Sequence, residues 1–123
     1  MTATAITWLA HSVDAEQLAR ARAFVESIGL DVISDTGDVI MAQTARGDIV
    51  EYCGPDAEVP PHLFAGQSQV AGFLVEDLDA AVARLAEQGF ATVGDAGEGG
   101  GVRFQHVIGP AGDVVGLVAR QPE

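Results

Sequence analysis

The second half of the chain repeats the order of elements found in the first, and this repeat limits the folds open to it more than any other feature. Ile6–Val13 is a short apolar run of strand length, and from Ala15 to Ser27 the residues Leu18, Ala21, Phe24 and Val25, continued by Ile28, recur at helical spacing. Asp14 supplies an N-cap and Gly29 a stop. Leu30–Ile33, Val39–Thr44 and Asp48–Cys53 then read as β-prone runs, divided by Asp35-Thr36-Gly37-Asp38 and Ala45-Arg46-Gly47. After a Pro-rich connector the order returns. A strand is expected over Gln69–Val75, a helix over Leu78–Gln88 closed by Gly89, and strands near Phe90–Val93, Val102–Ile108 and Asp113–Ala119. Gly47-Asp48-Ile49-Val50-Glu51-Tyr52 matches Gly112-Asp113-Val114-Val115-Gly116-Leu117, so the halves align at their last strands.

One domain of two βαβββ modules is therefore expected, about 5–54 and 68–120, joined by the connector 55–67. Neither module alone can bury both faces of its strands. Two side by side can curl into an open, barrel-like sheet with helices outside and a cavity inside, an α+β architecture whose function belongs in that cavity. At 123 residues, 48% of them apolar, the chain can bury a core without disulfides or metal.

The remaining composition mostly excludes. No apolar run approaches the roughly 20 residues of a membrane span, so no membrane partner is expected. Eighteen acidic residues against six basic ones, all arginine, give a net charge of −12, a surface that repels a phosphate backbone and makes nucleic acid an unsuitable partner. The single cysteine, Cys53, forms no internal disulfide and fits a cytoplasmic setting. Its plain reading is a small buried hydrophobe on the strand face that carries Glu51. Gly94–Gly101 is glycine-rich but acidic and has no helix after it, so it reads as a flexible hairpin loop, either a lid over the cavity or slack between strands.

Four segments carry a family resemblance. They are Ala23-Phe24-Val25-Glu26-Ser27-Ile28-Gly29-Leu30, Val75-Glu76-Asp77-Leu78-Asp79-Ala80-Ala81, Leu85-Ala86-Glu87-Gln88-Gly89-Phe90 and the closing turn Ile108-Gly109-Pro110-Ala111-Gly112-Asp113. In this order and spacing they resemble the glyoxalase/bleomycin-resistance/extradiol dioxygenase (vicinal-oxygen-chelate) superfamily. The resemblance implies the paired-module fold and pairing into homodimers. It also implies, in metal-dependent members, a ligand on the first strand of each module and a Glu on the last strand of each. Here Glu51 matches one such position, but its counterpart is Gly116, and the first-strand positions fall on Val70 and on Trp8, with Ala10 or Leu9 as other alignments of the first module. None of these binds a metal, so neither a metal nor any other cofactor is expected. Only a slipped register would turn His11 inward toward Glu51 and leave open a site of Glu51, His11 and His106.

With Trp8 inward, an aromatic face stands where metal-binding relatives hold a ligand, and Gly116 leaves room beside the backbone. His62 and Phe64 of the connector, and Arg103, Phe104 and His106 of the penultimate strand, are further candidate ligand contacts. Alternation requires that either Arg103 and Gln105 or Phe104 and His106 face outward. The leading expectation is a metal-free small-molecule-binding protein of the bleomycin-resistance type, sequestering an aromatic or conjugated antibiotic or metabolite. The alternative is an enzyme of the same fold, a lyase, isomerase or cyclase, with Glu51 as base or metal ligand and a histidine as acid. An accessory interaction domain with no cavity ligand is the third.

Overall fold

The computed structural model describes residues 3–99 and 101–121. Its elements run β1 (Ala3–Ser12), α1 (Ala15–Ser27), β2 (Asp31–Asp35), β3 (Val39–Gln43), β4 (Ile49–Cys53), β5 (Gln69–Val75), α2 (Leu78–Glu87), β6 (Thr92–Gly99), β7 (Val102–Ile108) and β8 (Val114–Arg120). The eight strands form one sheet in the order β2-β3-β4-β1-β5-β8-β7-β6, so β2 and β6 are free edges and the sheet stays open. Each half places its first strand parallel to its last, β1 beside β4 and β5 beside β8, and the two first strands pair antiparallel at the centre. A parallel pair needs a crossover connection, which α1 and α2 supply. No helix among the described residues is long and apolar enough to cross a membrane.

Local chemistry explains where the helices begin. Asp14 Oδ1 accepts the Gln17 N–H at 2.8 Å while Gln17 Oε1 accepts the Asp14 N–H at 2.9 Å, a reciprocal cap that satisfies two otherwise unpaired amides. Asp77 caps α2 by accepting the Ala80 N–H at 3.0 Å. α1 lies against β2, β3 and β4, with Ala21 and Val25 buried, whereas Phe24 and Ile28, also part of its apolar spacing, remain exposed. α2 lies against β7 and β8, and Leu78 and Ala81 join Val75, Val107, Leu117 and Ala119 in a core on that face of the sheet. On the opposite face Leu63 of the connector packs with Ala10, Val70 and Val114.

The largest departure from the sequence reading concerns Gly94–Gly101. Rather than a loop, residues through Gly99 continue β6, with Gly97, Glu98 and Gly99 opposite Phe104, Arg103 and Val102 of β7. Gly100 lies outside the described residues. The register shifts between Val93 and Gly97, and two glycines there are dictated by aromatic rings packed on the backbone. A Cβ on Gly97 would stand 2.4 Å from Phe104 Cζ, and one on Gly94, whose φ is +71°, would stand 2.3 Å from His62 Cε1. Glycine here accommodates rings rather than slack, which composition alone cannot distinguish.

Val25 is fully buried at the α1–sheet contact. Val25→Ala is expected to cost about 2 kcal/mol and Asp14→Ala about 1 kcal/mol in urea unfolding, with the denaturant slope unchanged in both.

Candidate functional site

The inner face of the sheet and the connector enclose a cavity of about 410 Å³. Trp8 reaches it because β1 shifts register between Ile6 and Trp8, after which Trp8 and Ala10 share the inner face. Thr7, at that irregularity, is buried and donates to Asp48 Oδ1 at 3.0 Å. His11 points away, its ring stacked on Tyr52 at 5.0 Å between centroids. The slipped register that would bring His11 beside Glu51 is thus not the one formed.

Across the centre of the sheet, one row reads Trp8, Gly72, Gly116, His106, each opposite the next on adjacent strands β1, β5, β8 and β7. Two glycines between two rings make a floor without side chains. The next row carries the charge: Glu51 lies between Met41 and Ala10, and Ala10 faces Val70. Trp8 Nε1 donates to Glu51 Oε1 at 3.1 Å. Burial raises the carboxyl pKa of Glu51, and the indole hydrogen bond only partly opposes this. The buried Cys53 thiol on the same strand is pushed up to about 12 by desolvation and by the charge of Glu51, so it is an inert hydrophobe rather than a nucleophile.

At the other end of the glycine floor, His106 Nδ1 shares a hydrogen bond with His62 Nε2 at 3.0 Å, one ring donating and the other accepting. Burial lowers the pKa of His106, and the neighbouring His62 lowers it further. His62 thus acts on the cavity through His106 and is not part of the wall. Phe64 likewise backs the wall, packing against the Ala10, Leu63, Val70 and Val114 cluster. Arg103 faces outward, 3.5 Å from Asp79 and 3.7 Å from Glu98, because alternation along β7 gives the inner face to Phe104 and His106. Of the eight expected contacts, Trp8, Glu51, Phe104, His106 and Gly116 line the cavity and His62, Phe64 and Arg103 do not.

Alternation from Gly116 would have found Val118, and pairing with Glu51 would have found Met41. Nothing in the sequence indicates that Glu58, Val59, Pro60 and Leu63 close one side. The connector is pinned there by Gln67, whose side chain accepts the Val114 N–H at 2.7 Å and donates to the Val114 carbonyl at 3.1 Å. A second cavity, about 310 Å³ between α2 and the sheet, is walled by Phe73, Val75, Leu85 and Leu117, and the polar residues that line it, Arg84, Glu87 and Gln88, are exposed.

No family model matches the chain, and no curated protein matches it by sequence. Solved structures do match. Methylmalonyl-CoA epimerase from Mycobacterium tuberculosis is 18% identical, with a TM-score of 0.67 over 99% of this chain and 94% of that one. A glyoxalase/bleomycin resistance protein/dioxygenase superfamily member from Vibrio splendidus 12B01 is 14% identical, with a TM-score of 0.60 over 90% and 95%. This chain has the glyoxalase/bleomycin-resistance/dioxygenase fold. The Mn(II)-bound glyoxalase from Novosphingobium aromaticivorans, 13% identical, matches 98% of this chain with 42% of its own length at a TM-score of 0.71.

The residues here do not suit a metal of that kind. Among the described residues no three His, Cys, Asp or Glu side chains converge, Glu51 is engaged by an indole, and the matching position in the other half is Gly116. A divalent ion held by a single carboxylate would lack the ligand number such ions require.

The two floor glycines make different demands. A Cβ on Gly116 would meet only ordinary contacts at 3.5 Å and beyond, whereas one on Gly72 would stand 3.1 Å from Trp8 Cβ and 3.3 Å from Val118 Cγ2. Gly116→Ala should leave stability within about 0.5 kcal/mol, while Gly72→Ala should cost about 1 kcal/mol or more, because Trp8 is tethered through Glu51 and yields poorly. Glu51 generates a pH test. An acid whose folded pKa is raised favours the native state below its unfolded pKa and loses that contribution as pH rises through the folded value. Glu51→Gln, which keeps an acceptor for Trp8, should therefore stabilise the protein at pH above the raised value relative to its effect near pH 4, read from paired urea titrations. An equal effect at both ends would contradict the burial of this charge.

Proposed function

We propose that this protein is a metal-free small-molecule-binding protein of the bleomycin-resistance type, which sequesters an aromatic or conjugated antibiotic or metabolite in the cavity beneath Trp8. The observation that carries the reading is the combination of an apolar cavity, an aromatic wall and a bare glycine floor at the place where metal-dependent relatives chelate. Apolar walls with a few fixed polar groups are the usual make-up of a ligand site, and a cavity of about 410 Å³ is within the usual range. Trp8 supplies stacking area, Phe104 and Met41 adaptable walls, and Glu51 and His106 the polar points that orient the guest. In this reading modules 5–54 and 68–120 with connector 55–67 work as one domain around a shared cavity. The protein acts in the cytoplasm, paired with a second copy as the family resemblance implies, and needs neither nucleic acid nor membrane.

A second reading rests on Glu51 itself. A half-buried carboxyl with a raised pKa, in a cavity that also holds a histidine paired to another histidine, is equipped to take and return a proton, as a lyase, isomerase or cyclase requires.

Native mass spectrometry of the protein purified from its own host separates these readings. A co-purifying compound released intact on denaturation is the outcome expected of sequestration, whereas conversion of the compound, lost in Glu51→Gln and kept in Trp8→Phe, would establish catalysis. Trp8→Ala should weaken binding of that compound by about tenfold or more, since an aromatic wall contributes about 1.5 kcal/mol. Tight, stoichiometric uptake of a divalent metal that depends on Glu51 would overturn the metal-free reading.

A further inference from the structure

The charge inventory of the cavity narrows the guest further. Its lining carries two carboxylates, the half-buried Glu51 inside and the exposed Glu58 at the connector, and neither a lysine nor an arginine. The basic residues nearby are committed elsewhere: Arg103 faces Asp79 and Glu98 outside the sheet, and Arg46 lies 3.9 Å from Asp48. Glu51 therefore sits among Trp8, Met41, Ala10 and Val70 without a counter-ion, and Trp8 is the only donor to its carboxylate among the described residues. A carboxylate has about four acceptor positions, and one indole N–H fills a single one. The carboxylate oxygen that the indole leaves free is open to the cavity rather than sealed, so a cation arriving with its own N–H groups can reach it, and against this half-buried, apolar wall a charge-assisted hydrogen bond is strong.

We propose that the cavity takes an organic cation, a protonated amine carried on a compact aromatic or apolar body, with the ammonium set against Glu51 and the body over the Gly72–Gly116 floor between Trp8 and His106. The proposal rests on the reading of this cavity as a small-molecule site and specifies the charge of what enters it. Trp8 serves the cation twice, by holding the carboxylate in place and by offering a ring face to positive charge. His106, kept toward its neutral form by burial and by His62, adds no positive charge to compete with the guest. An anionic guest would meet Glu51 across a poorly screened space with no cation to offset it, so carboxylates and phosphates are excluded on the same grounds. A neutral guest is the serious competitor, because Glu51 in its protonated form can donate to a carbonyl.

Calorimetric titration of the full chain with three probes of one ring system decides the matter. The probes are 1-naphthylmethylammonium, 1-naphthalenemethanol and 1-naphthoate, compared at neutral pH and low salt. The ammonium is expected to bind about tenfold or more tightly than the alcohol, with the naphthoate weakest, as befits one charge-assisted hydrogen bond. Glu51→Gln should bring ammonium and alcohol to within about twofold by weakening the former. Equal affinity of ammonium and alcohol for the wild-type protein, or a preference for naphthoate, would overturn the cation assignment while leaving the cavity reading intact. Absence of heat with all three at millimolar concentration would overturn both. The comparison is made on the wild-type chain, so it does not depend on the variant folding.

Discussion

The antiparallel pairing of β1 with β5 is the joint on which the rest of the molecule depends. Each half is a four-stranded sheet with one helix on one face, and that helix leaves the other face of its own strands without cover. Pairing the two first strands turns the uncovered faces into a single concave surface. Trp8 is brought opposite Gly72 and Ala10 opposite Val70, so that residues remote in sequence become one floor. The connector then closes what the sheet leaves open, held by Leu63 in the apolar cluster and by Gln67 on the Val114 backbone.

The pairing also fixes the electrostatic character of the site. Glu51 comes from β4, next to β1, and its hydrogen bond to Trp8 spans that strand boundary. Burial that raises the Glu51 carboxyl pKa also raises that of the Cys53 thiol two residues on, since both lose water in forming their negative charges. On the far side the same loss of water lowers the pKa of His106, a base, and its contact with His62 adds to the effect. The cavity is thus a weakly polar space with Glu51 beside Trp8 near one end of the glycine floor, His106 at the other and the exposed Glu58 on the connector side.

Much of the architecture could be read from the chain because its signals are local. The helix over Ala15–Ser27 begins at a capping pair, Asp14 and Gln17, that needs only neighbouring residues, and the strand over Gln69–Val75 is marked by apolar composition. The alternation argument that put Trp8 and Ala10 on one face and His11 on the other also matches the register formed. The glycine-rich segment misled for a physical reason. A glycine required by slack and a glycine required by an overlying ring are the same letter, and only the positions of Phe104 and His62 reveal that β6 extends to Gly99. Arg103 shows the same limit: alternation allowed either face of β7, and its partner Asp79 lies on a helix more than twenty positions earlier.

By itself, then, the sequence determined the order of the elements, their caps and the repeat that pairs them, in which Glu51 is answered by Gly116. These follow from periodicity and residue chemistry, which act over a few neighbours. What only the tertiary structure decided is which side chains meet across strands: the Trp8–Glu51 hydrogen bond, the His62–His106 pair, the outward turn of Arg103 and the connector wall at Glu58, Val59, Pro60 and Leu63. Each depends on strand register, sheet curvature or the path of a loop. Those are set by the joint packing of the whole chain, and no local pattern encodes them.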